Sequence, residues 1–375
     1  MKNRKPYSLF YKIFFRIPVS IANVIIHLKP WVLDARKKSY YVGESPLKSK
    51  FRILLDHLYT ASVFGQTYKD DYYAMGLDQK GKKIKDYIGE AMNTLALYTF
   101  STSRGLPLSQ WKYDMCATLK DKWIFSQMCK SYNLSTPETY GLTINGKLIS
   151  DTWKSLSDIQ MGDYDVIFKP LDGACGLGIF HLRSFGGKMI VKGKEISMTD
   201  LTKMLAEGKF LIQKFISNQH EGMKNLYPDA CNTLRITVAR YGDECKVMGV
   251  MCMLGAHGTD CSNWHFGGVS INVKDDGILD KYGYCKIDKR ITAHPDSGVI
   301  FKGYKIPYFE EAIELAKNAT RCFYGFRSIG WDVAITTEGP TLIEGNDDWG
   351  IVAHQMVENR GWKQNWEKYH GKMNI

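Results

Sequence analysis

Along the second half of the chain the apolar positions fall in short runs and in alternation, the pattern of strands, with stretches of helical spacing set between them. A short apolar strand is predicted at 165–169, closed by Pro170, and a second at 179–182 after the glycine-rich turn Asp172-Gly173-Ala174-Cys175-Gly176-Leu177-Gly178. Further strands are predicted at 210–215, 233–241, 246–254 and 268–273, with a closing hairpin at 330–335 and 341–344. Helical spacing covers 120–133, which Thr136-Pro137 stops, and 308–324. Ser197-x-x-Asp200 caps a third helix that runs through Ala206. Residues 39–110 read as helical and irregular, with apolar spacing in 51–64 and 84–100 and no chemical motif. The order of elements predicts an α+β fold with mostly antiparallel strands.

The N-terminus has its own pattern. Between Tyr7 and Leu33 the polar residues Lys12, Arg16, Ser20, Asn23 and His27 recur at steps of three and four, one stripe of a helix. Phe10, Phe14, Phe15, Ile17, Ile21, Val24, Ile25 and Ile26 cover much of the rest, and Pro18 should kink it or split it into two helices. The uncharged run 17–28 is too short and too polar to span a bilayer, and no cleavage site follows it. Two readings stay open: a helix lying in the interface of an anionic membrane, or one packed on the protein's own core.

Charge sharpens the first. The 375 residues carry a formal charge of +11, and residues 1–38 hold nine Lys/Arg against one acid, Asp34. A nucleic-acid protein more often carries its charge on the folded body, so no nucleic-acid partner is expected. The remainder is an ordinary packed composition, 44% hydrophobic and 24% charged, which excludes global disorder. Nine cysteines with no CxxC pair argue for reduced thiols in a cytosolic protein rather than a disulfide framework or zinc ribbon.

The hairpin carries the strongest chemistry. A three-residue loop, Thr337-Glu338-Gly339, would pair Thr336 with Pro340 and hence Asp332 with Glu344, with Asn346 on the same face. A two-residue loop would turn Glu344 to the opposite face. Two converging carboxylates and an amide oxygen need a cation between them, and hard oxygen donors suit Mg²⁺. Upstream, Lys169 ends an apolar strand just before Gly173, Gly176 and Gly178, whose backbone N–H groups can approach phosphate closely. There is no GxxxxGK[ST], HExxH, GxSxG or full GxGxxG sequence.

Taken in order, Asp121-Lys122, Phe168-Lys169-Pro170 with its glycine loop, Phe210–Ile216, Asn232-Thr-Leu-Arg235 and Asp332…Glu344-Gly-Asn346 resemble an ATP-grasp domain over about residues 111–356. Ile329-Gly-Trp-Asp332, Ile343-Glu-Gly-Asn346, His265-Phe-Gly-Gly-Val269 and His294-Pro-Asp-Ser-Gly298 look most like its sugar-transfer-associated group. The resemblance implies two α+β lobes gripping ATP, at 111–208 and 209–358, after a basic segment (1–38) and a helical region (39–110), with a tail at 359–375. The stretch 101–110 is the expected boundary. It further implies that Lys122 and Lys169 reach the nucleotide phosphates and that Gly173, Cys175, Gly176 and Gly178 close over them. Gln213, Lys214, Phe215 and Ile216 would form the adenine hinge, with Asn218 or His220 near the ribose. Arg235 would stabilise the transferring phosphoryl group, and Asp332, Glu344 and Asn346 would hold Mg²⁺. Cys175 is expected to shape the backbone rather than act as a nucleophile.

The reaction implied is ATP-dependent carboxylate–amine ligation through an acyl phosphate, with an ATP-grasp kinase as the alternative. The expected substrates are a sugar acid, free or nucleotide- or lipid-linked, and an amino acid or other amine, used in surface polysaccharide synthesis in the cytoplasm or at the inner face of the cytoplasmic membrane. The stretch 257–268, with His257, Trp264 and His265, has the character of an acceptor loop, where Trp264 either stacks on a sugar or belongs to the core. With no cysteine at metal spacing, His257 and His265 are expected to make ordinary hydrogen bonds. Arg290 and His294 either bind an acidic group or serve the surface.

Overall fold

The computed structural model describes residues 12–64, 67–94, 115–171, 177–259, 262, 264 and 267–372. The expected boundary at 101–110, most of the glycine loop (Gly173, Cys175 and Gly176 among it) and His265 lie outside the described residues.

Two seven-stranded antiparallel sheets organise the chain. The first contains β1 (Thr139–Ile144), β2 (Lys147–Ile149), β3 (Tyr164–Pro170), β4 (Phe180–Phe185), β5 (Lys188–Val191), β6 (Lys194–Ile196) and β7 (Lys209–Lys214), in the order β2-β1-β7-β3-β4-β5-β6. The second contains β8 (Thr233–Tyr241), β9 (Glu244–Leu254), β10 (Val269–Val273), β11 (Leu279–Cys285), β12 (Lys289–Ile291), β13 (Ser328–Thr336) and β14 (Gly339–Asn346), in the order β12-β11-β10-β9-β8-β13-β14. The strands foreseen at 165–169, 179–182, 210–215, 233–241, 246–254 and 268–273 are all present. The short partners β1, β2, β5, β6, β11 and β12 were not foreseen. They alternate imperfectly and are only three to seven residues long.

The first sheet buries one face against helices and the second buries both. The helix Phe309–Cys322 presents Phe309, Ala312, Ile313, Ala316 and Ala319 to the second sheet, with Ile329, Trp331 and Val333 of β13 in the same core. In the first sheet Val166, Phe168, Leu182 and Ile212 pack with Leu201 and Leu205 of the helix Met198–Leu205, whose Ser197–Asp200 capping box is formed. The helix expected at 120–133 is interrupted at Asp121, which leaves helical geometry to cap Lys122–Ser131, its Oδ1 accepting from the backbone of Trp123 and Ile124 at 2.9 and 3.0 Å.

The expected helix at 84–100 is not continuous. Ile84–Asp86 is a single 3₁₀ turn, and helix resumes only at 90–94, because Tyr87 and Ile88 are extended into the core. Nor does residue 359 begin a loose tail. Trp362 and Trp366 are buried with Ile88, Met248 and Trp349, which anchors the helix Lys363–His370.

At the N-terminus the helices Ile17–Ile26 and Lys50–Phe64 pack together over a core that includes Val24, Trp31, Ile53, Ala61, Tyr72 and Tyr73. Their orientation inverts the usual arrangement. Ser20 is buried and Arg16, Asn23 and His27 are partly covered, while Phe14 (61% exposed), Phe15, Val19, Ile25 and Ile26 (72%) face out. Phe51, Leu55, Tyr59 and Val63, four residues apart on the second helix, are exposed too. No helix of the described residues is long and apolar enough to cross a membrane.

Candidate active site

The hairpin β13–β14 brings Asp332 opposite Glu344 by a route the sequence reading did not foresee. Gly339 takes the expected positive φ (111°), but the ladder closes Thr336 onto Gly339, leaving only Thr337 and Glu338 in the turn. Such a turn alone would carry Glu344 to the other face. A β-bulge between Asp332/Glu344 and Val333/Leu342 accommodates Ile343 as an extra residue and restores the pairing. Asn346, opposite Gly330, follows on the same face, and its Nδ2 donates to Glu344 Oε1 at 3.3 Å and to the Gly330 carbonyl at 3.4 Å.

From the adjacent strand β8, Arg235 stands directly opposite Asp332 and clamps it with two hydrogen bonds, Nε to Oδ1 and Nη2 to Oδ2, the latter 2.9 Å long. Every residue of β13 is buried, so the acid lies in a dry setting. Burial pushes the Asp332 carboxyl up, to about 6, against the pull of Arg235, and the neighbouring Glu344 adds to the rise. Glu344 ends below its ordinary value: burial raises it, but Arg235 and the hydrogen bonds from Asp332 and Asn346 outweigh that. Two carboxylates and an amide oxygen gathered in this way form a donor set that fits a hard cation such as Mg²⁺.

Two lysines bear on the same place, one from the first sheet and one from a helix packed on the second. Lys169, near the end of β3 and only 9% exposed, is held down by burial, opposed by the charge of Glu344 and aided by that of Lys122. Lys122 opens its helix where the backbone N–H bonds the Leu171 carbonyl at 3.3 Å, tying the helix start to the end of β3. Gly178 has φ of 75°, and a Cβ there would lie 3.0 Å from the Pro170 ring, so the glycine lets the chain fold back on that proline. Cys231, which no sequence pattern marked, lies between Lys169 and Gln219. Burial raises its thiol against the charge of Lys169.

The segment after β7 is engaged in several ways. The Gln213 amide is buried and donates to Thr139 Oγ1 at 3.1 Å. Lys214 and Phe215 donate their backbone N–H groups to the Glu138 and Asp165 carbonyls at 2.8 and 2.9 Å, and Phe215 stacks on His181 at 3.9 Å. Ile216 follows directly, and the Asn218 carbonyl accepts from Thr337 in the hairpin turn at 2.9 Å. His220 Nδ1 accepts from the Gly222 N–H at 3.0 Å, capping the helix Glu221–Leu226. Asn232 is a buried hub, with its amide bonded to Gln219, Met223, Tyr227 and Gly255.

The acceptor candidates do not gather at the carboxylates. Arg290 pairs with Glu44 and lies over the rings of Tyr282 (3.5 Å) and Tyr41 (4.9 Å), joining the second sheet to the N-terminal unit. His294 is buried, with Nε2 2.7 Å from the Gly255 carbonyl and Nδ1 accepting from Asp296 and Ser297. Lys286 lies over the Trp264 ring at 4.9 Å. His257 Nε2 is 3.0 Å from Asp288.

A family model described as sugar-transfer associated ATP-grasp matches residues 101–370. No curated protein matches the sequence. Among solved structures the chain is similar to an L-amino acid ligase from Bacillus licheniformis (12% identity, TM-score 0.40, covering 70% of this chain and 49% of that one). It is similar also to D-alanyl-alanine synthetase A from Vibrio cholerae (7%, 0.40, 69% and 66%) and to the VanG D-Ala:D-Ser ligase from Enterococcus faecalis (13%, 0.40, 69% and 60%). The chain spans about half the length of the first of these.

Proposed function

This chain belongs to the sugar-transfer-associated ATP-grasp family, and from that premise we propose that it is an ATP-dependent ligase joining a sugar acid to an amine. One observation carries the reading. Buried Lys169 of one sheet feels the charge of Glu344 on the other, and Glu344 is grouped there with Asp332 and Arg235. Phosphoryl transfer asks a protein mainly for positioning and charge neutralisation, and such a cluster supplies both.

In this reading Lys122 and Lys169 take the phosphate oxygens, one from a helix start and one from a strand end. The Gly178 turn brings backbone toward the same region. Asp332, Glu344 and the Asn346 amide oxygen hold Mg²⁺, which when bound neutralises phosphate charge. Arg235 steadies Asp332 and would supply positive charge to the transferring phosphoryl group, while a bound cation would neutralise the carboxylates. The substrate carboxylate attacks the γ-phosphorus, ADP leaves, and the amine then displaces phosphate from the acyl phosphate. Gln213–Ile216, with Asn218, is the proposed adenine and ribose contact. The family's association with sugar transfer is the ground for a sugar acid of surface polysaccharide synthesis.

The test is ADP release from Mg·ATP with pooled sugar acids and hydroxylamine. Hydroxamate formed together with ADP, and lost in Lys169→Ala and Glu344→Gln, supports ligation. ADP without hydroxamate, still dependent on Lys169, replaces the ligase with a kinase, and wild-type turnover in a folded Glu344→Gln protein removes the metal assignment.

We also place the protein on an anionic membrane surface. Phe14, Phe15, Val19, Ile25 and Ile26 face outward, and the same unit exposes Lys29, Arg36, Lys37, Lys50 and Arg52. Covering five such side chains is worth about 1 kcal/mol each at their exposure, and basic residues near an anionic surface add to it. Ile25→Glu with Ile26→Glu should abolish sedimentation with phosphatidylglycerol vesicles and leave the thermal midpoint unchanged. Undiminished sedimentation of that variant would remove the assignment.

A further inference from the structure

His257, Cys285 and Asp288 come from two separate parts of the second sheet, the loop after β9 and the turn between β11 and β12. Their ligand atoms all lie within 4.8 Å of one another. The Nε2 of His257 is 3.0 Å from Asp288 Oδ2, and that oxygen is 3.8 Å from Cys285 Sγ. Tetrahedral zinc with ordinary bond lengths sets nitrogen and oxygen ligands about 3.3 Å apart and sulfur and oxygen about 3.6 Å apart. The two measured separations lie close to those values, and His257 and Cys285, within 4.8 Å of each other, must draw together to share one ion.

Burial holds the Cys285 thiol above its ordinary range and the charge of Asp288 adds to the rise, while the backbone of the turn works against it. The backbone N–H of Asp288 donates to the sulfur at 3.2 Å, and the N–H groups of Ile287 and Lys289 also face it. A turn whose backbone donors converge on sulfur stabilises the charged form that a metal requires. The arrangement does not suit a thiol nucleophile. In a nucleophile–imidazole–carboxylate relay the imidazole stands between the other two groups, whereas here the carboxylate does. On the histidine side, the His257 N–H is fixed by Asp296 Oδ2 at 2.7 Å, and its backbone holds a positive φ of 57°. A side chain at Gly267 would press on Ile287 at 3.2 Å and His257 at 3.7 Å, and glycine there leaves the ring its room.

We propose that His257, Cys285 and Asp288 bind one zinc ion, with water in the fourth position, distinct from the Asp332–Glu344 site. The two sites are on opposite faces of the sheet. Cys285 belongs to the core under the helix Phe309–Cys322, while Tyr284, beside it, faces the other way with Met251, the strand partner of Arg235. Four strand steps separate β11 from β13, about 19 Å at the usual spacing. Binding exchanges the thiol proton for the metal and releases it to solvent. The ion staples the loop after β9 to the β11–β12 turn, and so fixes the entrance to the segment that carries Trp264.

The test uses the full-length protein, stripped with a chelator and titrated with Co²⁺ in millimolar Mg²⁺, which keeps the oxygen-donor site supplied. One Co²⁺ per chain should bind with an intense near-ultraviolet thiolate band and the strong visible bands of four-coordination, and Zn²⁺ should displace it. His257→Ala and Asp288→Asn, both at exposed side chains, should each weaken binding at least tenfold, and Cys285→Ser should remove the near-ultraviolet band. Cys285 is buried and its variant can fail to fold, in which case the other two variants decide. Absence of a thiolate band, or an undiminished one in His257→Ala, overturns the site. None of these readouts depends on ATP turnover.

Discussion

Glu90 offers a test of the electrostatics around the candidate site. Its carboxylate accepts from the backbone N–H of Val352 at 3.2 Å, at the start of the helix Ile351–Val357 that follows the β13–β14 hairpin. Burial pushes the group from 4.5 up to about 7 against that hydrogen bond, and the nearby Asp348 and Asp71 push the same way. A folded-state value above the unfolded one means that the native chain keeps a proton the unfolded chain has lost. Stability therefore falls as pH rises from about 4.5 to about 7, and the contribution is flat above that. At about 1.4 kcal/mol per tenfold in proton affinity the whole difference is about 3.5 kcal/mol. The side chain is partly exposed, so on the order of 1–2 kcal/mol is the working figure after screening. Glu90→Gln keeps an oxygen for Val352 and removes the titration. Thermal melts of both proteins from pH 5 to pH 8 should give nearly equal midpoints at the acid end, and the variant should gain roughly 2–5 °C at pH 8. Taking the difference cancels groups common to both proteins, such as Asp71, itself pushed to about 6 by burial. A variant less stable at pH 8 than wild type would refute the reasoning. It would mean that the carboxylate's attraction to the helix start outweighs its desolvation.

Two further substitutions separate structural from chemical roles. A Cβ at Gly345 would sit 2.7 Å from the Trp331 ring and 2.8 Å from Leu119, so Gly345→Ala should cost about 1–3 kcal/mol by overpacking. It should also weaken Mg²⁺ dependence by displacing Glu344, as a melt and a Mg²⁺ titration of ATP turnover will read. Arg290→Ala removes the guanidinium between Tyr41 and Tyr282 and should cost about 1–2 kcal/mol. The KM for every substrate should stay unchanged, whereas a raised KM for the acidic substrate would restore the acid-binding role.

The legible part of the fold was the part whose information is local. The β8 run shows its apolar pattern over its whole length, and the predicted 233–241 coincides with the observed strand. The Ser197–Asp200 box and the helix after Tyr308 were equally visible, because caps and helical spacing act within one turn. The hairpin shows where locality ends. Its glycine and its two acids could be read directly, but the pairing of Asp332 with Glu344 depends on a two-residue turn and a bulge at Ile343 that cancel. Nothing in the residue pattern distinguishes those two compensating shifts from none at all. Cys231 and Glu90 were missed for a plainer reason. Each matters only through a neighbour far along the chain, Lys169 for one and Val352 for the other.

The N-terminal segment was legible in composition and opaque in direction. Its helical stripe was correct, yet the expectation for a soluble helix is that the polar stripe meets water. Here Ser20 and Val24 share the buried side, because the helix Lys50–Phe64 and Trp31 already occupy the space where a larger apolar face would pack. The apolar residues are then left outside, beside a second exposed apolar stripe on Lys50–Phe64. Two adjoining helices with outward apolar faces need a covering partner in a way that scattered exposed residues do not. In the proposed membrane-surface reading a bilayer interface would cover them without crossing and would account for the basic excess in the same segment. Deleting residues 1–38 cannot test this, since Val24, Trp31 and Val32 would leave the shared core with them. Outward-facing substitutions such as Ile25→Glu leave that core intact, so lost vesicle binding in such a variant isolates the surface from the fold.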